Sequence, residues 1–192
     1  EPERSTIPQG GQFRNQFNVV DILSKTAPDE WRIYVKEHPS QFFRYKTGRG
    51  REIYDYHDLL CLENVSLVDH SASTFDLIDN SEAVATVTGT AGWEAVVRGT
   101  PALIFGYARY RQCEGIYNIS SRSDVDTALE KIRTDREVLI EDVLKFVRAI
   151  EIIGYRGLNF FWEGMWTDTP DSVRVTNTVE NLYEFFDGDS AN

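Results

Sequence analysis

The sequence predicts an α/β fold: a Rossmann-like parallel sheet with helices on both faces. Three observations predict it. Short apolar runs recur along the chain at residues 31–36, 65–68, 83–87, 102–105 and 117–119. Segments with helical apolar spacing or helix-start residues separate them. The connections are so short that each must be a crossover between parallel strands.

The elements follow in order. Phe13, Phe17, Val20 and Leu23 share one helical face, which predicts a helix over 13–25 that Pro28 ends. Residues 31–36 read as a strand, and the basic, glycine-containing stretch 42–53 as loop with some helix. A short helix is expected over 54–62 and a strand over 65–68. Ser73 or Thr74 caps a helix over 73–78, with Asp76 in its first turn. A strand at 83–87, a helix at 91–98 and a strand at 102–105 come next, then a weaker strand at 117–119. Ser123 opens a helix running to Ile132. Thr134 opens the next, with Glu137 three residues on as a capping box. Leu139, Val143, Phe146, Val147 and Ile150 form its apolar face, and Gly154 stops it. Residues 155–169 are aromatic and irregular, and 172–186 read as a final helix. The whole chain, 1–192, is expected to be one domain, with 155–192 as a C-terminal aromatic segment and helix.

Composition bounds the function. A chain of 192 residues with 41% hydrophobic side chains can bury a real core. A formal net charge of −11 argues against nucleic acid as the main partner. It leaves room for a nucleotide, which one local set of donors can hold. Cys61 and Cys113 make no disulfide framework, and His38, His57 and His70 show no metal-ligand spacing with them, so no metal is expected. No apolar run approaches the ~20 residues of a membrane span.

In parallel sheets, ligands sit at the carboxyl ends of the strands. That rule selects the residues after Lys36 and those after Val87. The second place reads V-T-G-T-A-G-W-E-A-V-V-R-G-T-P over 87–101: strand, small-residue turn, helix. Thr88 and Thr90 offer hydroxyl donors for a phosphate, and Gly89 lets the backbone come close. The same small residues also serve simply to pack helix against strand. Glu94 lies one turn after Thr90. Its carboxylate can accept from ribose hydroxyls, or can complement the helix dipole. After the first strand comes Lys36-Glu37-His38-Pro39, where Pro39 stiffens the turn that aims the His38 ring. Arg109 and Arg111, with Tyr110, follow a strand end and can neutralise a carboxylate or phosphate. Asp76, Asp79 and Glu82 read as helix-cap and turn residues rather than an acid/base set. Trp93 reads as core, and Phe160, Phe161, Trp162 and Trp166 as an aromatic packing cluster.

Three stretches carry a resemblance to a known family. They are V-K-E-H-P at 35–39, then F-D-L-I-D-N-S-E-A-V-A-T-V-T-G-T-A-G-W-E-A-V-V-R-G-T-P-A-L-I-F-G at 75–106, then Y-R-Q-C-E-G-I-Y at 110–117. Together they resemble the capsule polysaccharide biosynthesis family, whose best-known members are β-Kdo transferases using CMP-Kdo. P-E-R-S-T at 2–6 and G-G-Q-F at 10–13 resemble the start of the C-terminal half of those proteins. The resemblance implies the donor-binding C-terminal domain of a GT-B glycosyltransferase. It implies that His38 and Pro39 contact the cytidine monophosphate of the donor, and that Thr88, Gly89 and Thr90 meet its phosphate. Glu94, and less directly Lys36, Ser5, Thr6 and Arg109, complete the implied nucleotide-sugar site; no catalytic base is assigned. The donor is then a substrate, CMP-Kdo or a similar nucleotide sugar, and no cofactor is expected. The acceptor is a glycolipid or polysaccharide. The place of action is cytoplasmic, at the inner face of a bacterial inner membrane with peripheral membrane association. Five strands appear where such a domain has six, and the missing one is the first, central strand. The chain is therefore expected to be a fragment whose N-terminal domain is missing, and to transfer no sugar alone. A UDP-sugar transferase or epimerase-like domain, and a non-catalytic assembly or export protein, are the alternatives.

Overall fold

The structure, a computed structural model, describes residues 8–38 and 53–153. The elements expected at 155–169 and 172–186, and nearly all of 42–53, lie outside the described residues. The chain divides into two compact units, Glu1–Phe146 and Val147–Asn192. All the described strands belong to the first unit. The described part of the second is only the C-terminal stretch of the last helix.

The elements run as β1 (Ile33–Val35), β2 (Val65–Leu67), β3 (Val84–Thr86), β4 (Ala102–Ile104) and β5 (Ile116–Asn118). Interleaved are α1 (Phe17–Thr26), α2 (Ile53–Leu60), α3 (Thr74–Asp79), α4 (Ala91–Val97), α5 (Arg122–Thr134) and α6 (Ile140–Ile153). All pairings are parallel. β1 pairs with β2 in the register Ile33↔Val65 and Val35↔Leu67. β4 pairs with β3 on one side (Ala102↔Val84) and with β5 on the other (Ala102↔Ile116). The fold is thus parallel α/β and Rossmann-like.

Alternation along β4 shows how both faces are covered. Leu103 enters one core with Val19 and Leu23 of α1 and Val125, Leu129 and Ile132 of α5. Ala102 and Ile104 enter the other, with Ile78 of α3, Ala95 and Val96 of α4, and Val143 of α6. β4 is buried along its length, as a strand with two neighbours and two helical layers must be.

Local signals set most boundaries. Ser73 accepts the Asp76 N–H at 3.2 Å and caps α3. Phe13 does not belong to α1. It sits in a separate 3-10 turn, Gly11–Arg14, and Asn15 between them is extended. The Asn15 side chain accepts the Phe17 N–H at 3.1 Å, which starts α1 four residues late and leaves Phe13 to pack edge-on against Phe105.

The Thr134 capping box is not formed. Thr134 is the last residue of α5 and donates its hydroxyl to the Glu130 carbonyl at 2.9 Å. The capping box of this region lies at the start of α5 instead. There Ser121 accepts the Asp124 N–H, and Asp124 accepts the Ser121 N–H at 2.8 Å. Three hydrogen bonds from Ser120 and Ser121 hold the Asp124 carboxyl below its usual pKa. Since α6 begins only at Ile140, Val138 from the irregular connection enters the core. Leu139 and Ile150, expected on the buried face, are exposed, while Val143 is buried and Phe146 packs on Trp93.

Among the described residues no helix is long and apolar enough to cross a membrane.

Candidate functional site

A cavity of about 980 Å³ is lined by residues along both β1 and β3. Its mouth is polar. Lys36, Glu37 and His38, following β1, and Thr88, Gly89 and Thr90, following β3, all line it. Glu94, one turn into α4, lines it too. Six of the sequence-selected residues therefore line this one cavity: Lys36, His38, Thr88, Gly89, Thr90 and Glu94. Pro39, Ser5 and Thr6 lie outside the described residues. Arg109 is exposed and is not among the residues lining the cavity.

The first wall is tied to the loop after β2, because the Lys36 ammonium donates to the His70 carbonyl at 2.9 Å. Glu37 is buried and His38 is exposed at the mouth. The second wall is tied more firmly. The Gly89 N–H donates to the Thr86 hydroxyl at 3.1 Å. It is therefore already engaged within the turn. The Gly89 carbonyl accepts from the Tyr110 hydroxyl. Burial, with the Glu94 charge as a lesser cause, pushes the Tyr110 phenol up to about 12. It is thus a neutral donor across the physiological range.

The Thr90 hydroxyl donates to Glu94 Oε1 at 2.9 Å, and the Glu94 N–H donates to the Thr90 carbonyl at 2.9 Å. The pair orients both side chains on the cavity wall. Chemically it offers a carboxylate that can accept a ligand hydroxyl. A phosphate would take the Thr90 hydroxyl by turning it away from Glu94.

Sequence reasoning missed the groups that hold this turn in place. Tyr110, read only as part of a basic loop, reaches across 21 residues to anchor Gly89, and no spacing pattern signals such a contact. Gly92 is a packing glycine: a Cβ there would lie 2.6 Å from Ile104 Cδ1 and 2.7 Å from the Tyr110 hydroxyl. Its place in the T-G-T-A-G run was the available signal. Arg111, like Arg109, is not among the residues lining the cavity; its guanidinium lies 4.6 Å over the Tyr107 ring. The acidic set is structural. Asp79 is paired twice with Arg98, one bond being 2.5 Å, and Glu82 meets Arg136 at 2.8 Å. Trp93 packs 6.2 Å from Tyr110 and 6.0 Å from Phe146, ring centre to ring centre. Among the described residues no three His, Cys, Asp or Glu side chains gather as a metal-binding group.

Two comparisons, with curated proteins and with solved structures, return no significant match. The family comparison does match: the model described as capsule polysaccharide biosynthesis protein covers residues 5–156. That span takes in β1 to β5, both walls of the cavity mouth and the helices that hold them. With most of its length matched and a parallel α/β fold to carry it, the chain belongs to the capsule polysaccharide biosynthesis protein family.

Proposed function

We propose that this chain is the donor-binding domain of a GT-B-type glycosyltransferase acting in capsule or surface polysaccharide assembly. The donor is CMP-Kdo or a similar nucleotide sugar. One observation carries the reading: Lys36 and His38 from one strand end, and Thr88, Thr90 and Glu94 from another, line the mouth of one cavity. Strand carboxyl ends are where parallel α/β folds hold nucleotides.

In this reading the Lys36 ammonium and the His38 ring lie on one side of the donor phosphate, and the hydroxyls of Thr88 and Thr90 on the other. Glu94 accepts from the ribose. The sugar leaves its phosphate by direct displacement at the anomeric carbon. Negative charge grows on the phosphate as the bond breaks, and donors already fixed around it stabilise that charge most at the transition state. The acceptor, a glycolipid or polysaccharide hydroxyl, approaches from the opposite side. The cytoplasmic face of the inner membrane is the setting that fits such an acceptor.

The test is a calorimetric titration of the purified chain with CMP, CDP and UDP. CMP and CDP should bind more tightly than UDP. His38→Ala and Thr90→Ala should each weaken binding by about 1–3 kcal/mol, the range for a hydrogen bond to a charged group. Equal affinity for UDP, or unchanged affinity in both variants, would overturn the reading.

A further inference from the structure

Glu94 brings more than a hydroxyl acceptor to the cavity: it brings a charge with no counter-charge. Glu82, another carboxylate lining the cavity, pairs with Arg136 at 2.8 Å. Among the described residues Glu94 has no such partner. Its side chain meets the Thr90 hydroxyl at 2.9 Å and no Lys, Arg or His nitrogen at ion-pair distance. The basic side chains of the mouth, Lys36 and His38, follow β1, where Glu37 stands between them, and the Lys36 ammonium is engaged by the His70 carbonyl at 2.9 Å. Helix α3 brings Thr74, Leu77 and Ile78 to the cavity, none of them charged. The neutral Tyr110 phenol feels the same charge, which after burial is the second cause of its raised pKa.

The Thr90 hydroxyl has one proton to give. While that proton goes to Glu94, a phosphate oxygen arriving at Thr90 meets only lone pairs. When the hydroxyl turns to the phosphate, the Glu94 carboxylate loses its donor. In both cases a ligand oxygen at hydrogen-bond distance from Thr90 lies within about 5.6 Å of Glu94 Oε1. That is inside the ~8 Å over which salt screens charges at physiological ionic strength. Each negative charge on a phosphate held there is therefore opposed by Glu94.

Sugar transfer changes the charge of that phosphate. In an intact nucleotide sugar the phosphate is a diester with one negative charge. When the bond from the anomeric carbon to the phosphate oxygen breaks, the electron pair stays on the oxygen. The acceptor oxygen forms the new bond to that carbon and its proton passes to water. The spent nucleotide is a monoester, which carries a second negative charge above about pH 6.

We infer, on the nucleotide-sugar reading proposed above, that Glu94 is a specificity-determining residue for phosphate charge. Its uncompensated carboxylate selects the singly charged diester of the intact donor against the doubly charged monoester of the spent nucleotide. The opposition is complete only when the second charge has fully formed. It therefore falls on the product, and on its release, more than on bond breaking. The two roles of Glu94 separate chemically. Accepting from a ribose hydroxyl needs an oxygen, which glutamine keeps; opposing a dianion needs the charge, which glutamine lacks.

The experiment is a calorimetric titration of the full chain at about pH 8 with CMP and with its methyl diester, cytidine 5′-methyl phosphate. The readout is the ratio of the two affinities. The parent should favour the diester. In Glu94→Gln the ratio should move toward CMP by about fivefold or more, chiefly because CMP binds more tightly. Glu94→Asp keeps the charge and should keep the parent's preference. Should Glu94→Gln fail to fold, Glu94→Ala must move the ratio the same way. A ratio unchanged within about twofold in the uncharged variant would overturn the inference. Equal weakening of both ligands is that result, and it would leave Glu94 a hydroxyl acceptor only and the nucleotide site standing. A parent that binds neither ligand would overturn the nucleotide reading and the charge selection with it.

Discussion

Replacing Gly106 by alanine should destabilise the fold at the point where the cavity mouth is anchored. A Cβ on Gly106 would lie 2.8 Å from the Gln9 carbonyl oxygen, 2.8 Å from Thr88 Cγ2 and 2.9 Å from the Val87 carbonyl oxygen. Two of these neighbours are backbone and cannot rotate aside. The Gln9 carbonyl also accepts the Tyr107 N–H at 2.8 Å, so moving it breaks a hydrogen bond. Overpacking of this kind costs about 1–3 kcal/mol and a lost hydrogen bond about 0.5–1.5. Alanine returns about 0.4–1 kcal/mol by restricting the unfolded chain. The net loss expected is about 2 kcal/mol, within about 0.5–4. Urea unfolding measures it, and amide exchange at Tyr107 localises it. Thr88→Ser deletes one of the three clashing atoms and should recover part of the loss in the double variant, though little on its own. A Gly106→Ala variant within about 0.5 kcal/mol of the parent, with Tyr107 exchange unchanged, would refute the packing argument.

Other outcomes follow from single contacts. Tyr110→Phe removes the donor to the Gly89 carbonyl and should cost about 1–2 kcal/mol in urea unfolding. Because folding raises the Tyr110 pKa to about 12, the parent's stability from this group is complete below about pH 10. It is lost as pH rises toward 12, because the unfolded phenol ionises first. The alkaline stability profile of Tyr110→Phe should therefore be flatter between those values. Ser121→Ala deletes the cap of α5 and should cost about 1 kcal/mol by the same unfolding measurement. Burial raises the Cys113 thiol to about 11, whereas Cys61 is exposed. A thiol reagent at about pH 8 should label one cysteine quickly in the native protein and both only after unfolding, with peptide mass spectrometry placing the fast label on Cys61.

The sequence by itself determined what depends on neighbours in the chain. Apolar runs bounded by turn residues mark the cores of β1 to β5, and Ser73 with Asp76 marks the start of α3. The rule that ligands gather at strand carboxyl ends needs only the order of strands, so Lys36–His38 and Thr88–Thr90 could be singled out before the structure put both along one cavity. Two of the three family stretches, 35–39 and 75–106, contain these segments. Where several local readings competed, only the fold could choose. Thr134 and Glu137 match a capping box as well as Ser121 and Asp124 do. The outcome turned on where α5 could stay packed through Ile132 while Val138 filled the core beside Gly115. The Asn15 side chain broke a smooth helical pattern for one hydrogen bond that periodicity does not see.

Contacts between distant segments were beyond the sequence altogether. The seat of Tyr110 on Gly89, the closeness of Gly106 to Gln9 and the engagement of the Gly89 N–H all require three-dimensional placement. The cavity along β1 and β3 belongs to the same group. Only the tertiary structure decides which described strands pair and which line the cavity. The physical reason is that backbone pairing in a parallel sheet is wholly non-local: its partners are fixed by how the helices pack, not by residues near them in the chain.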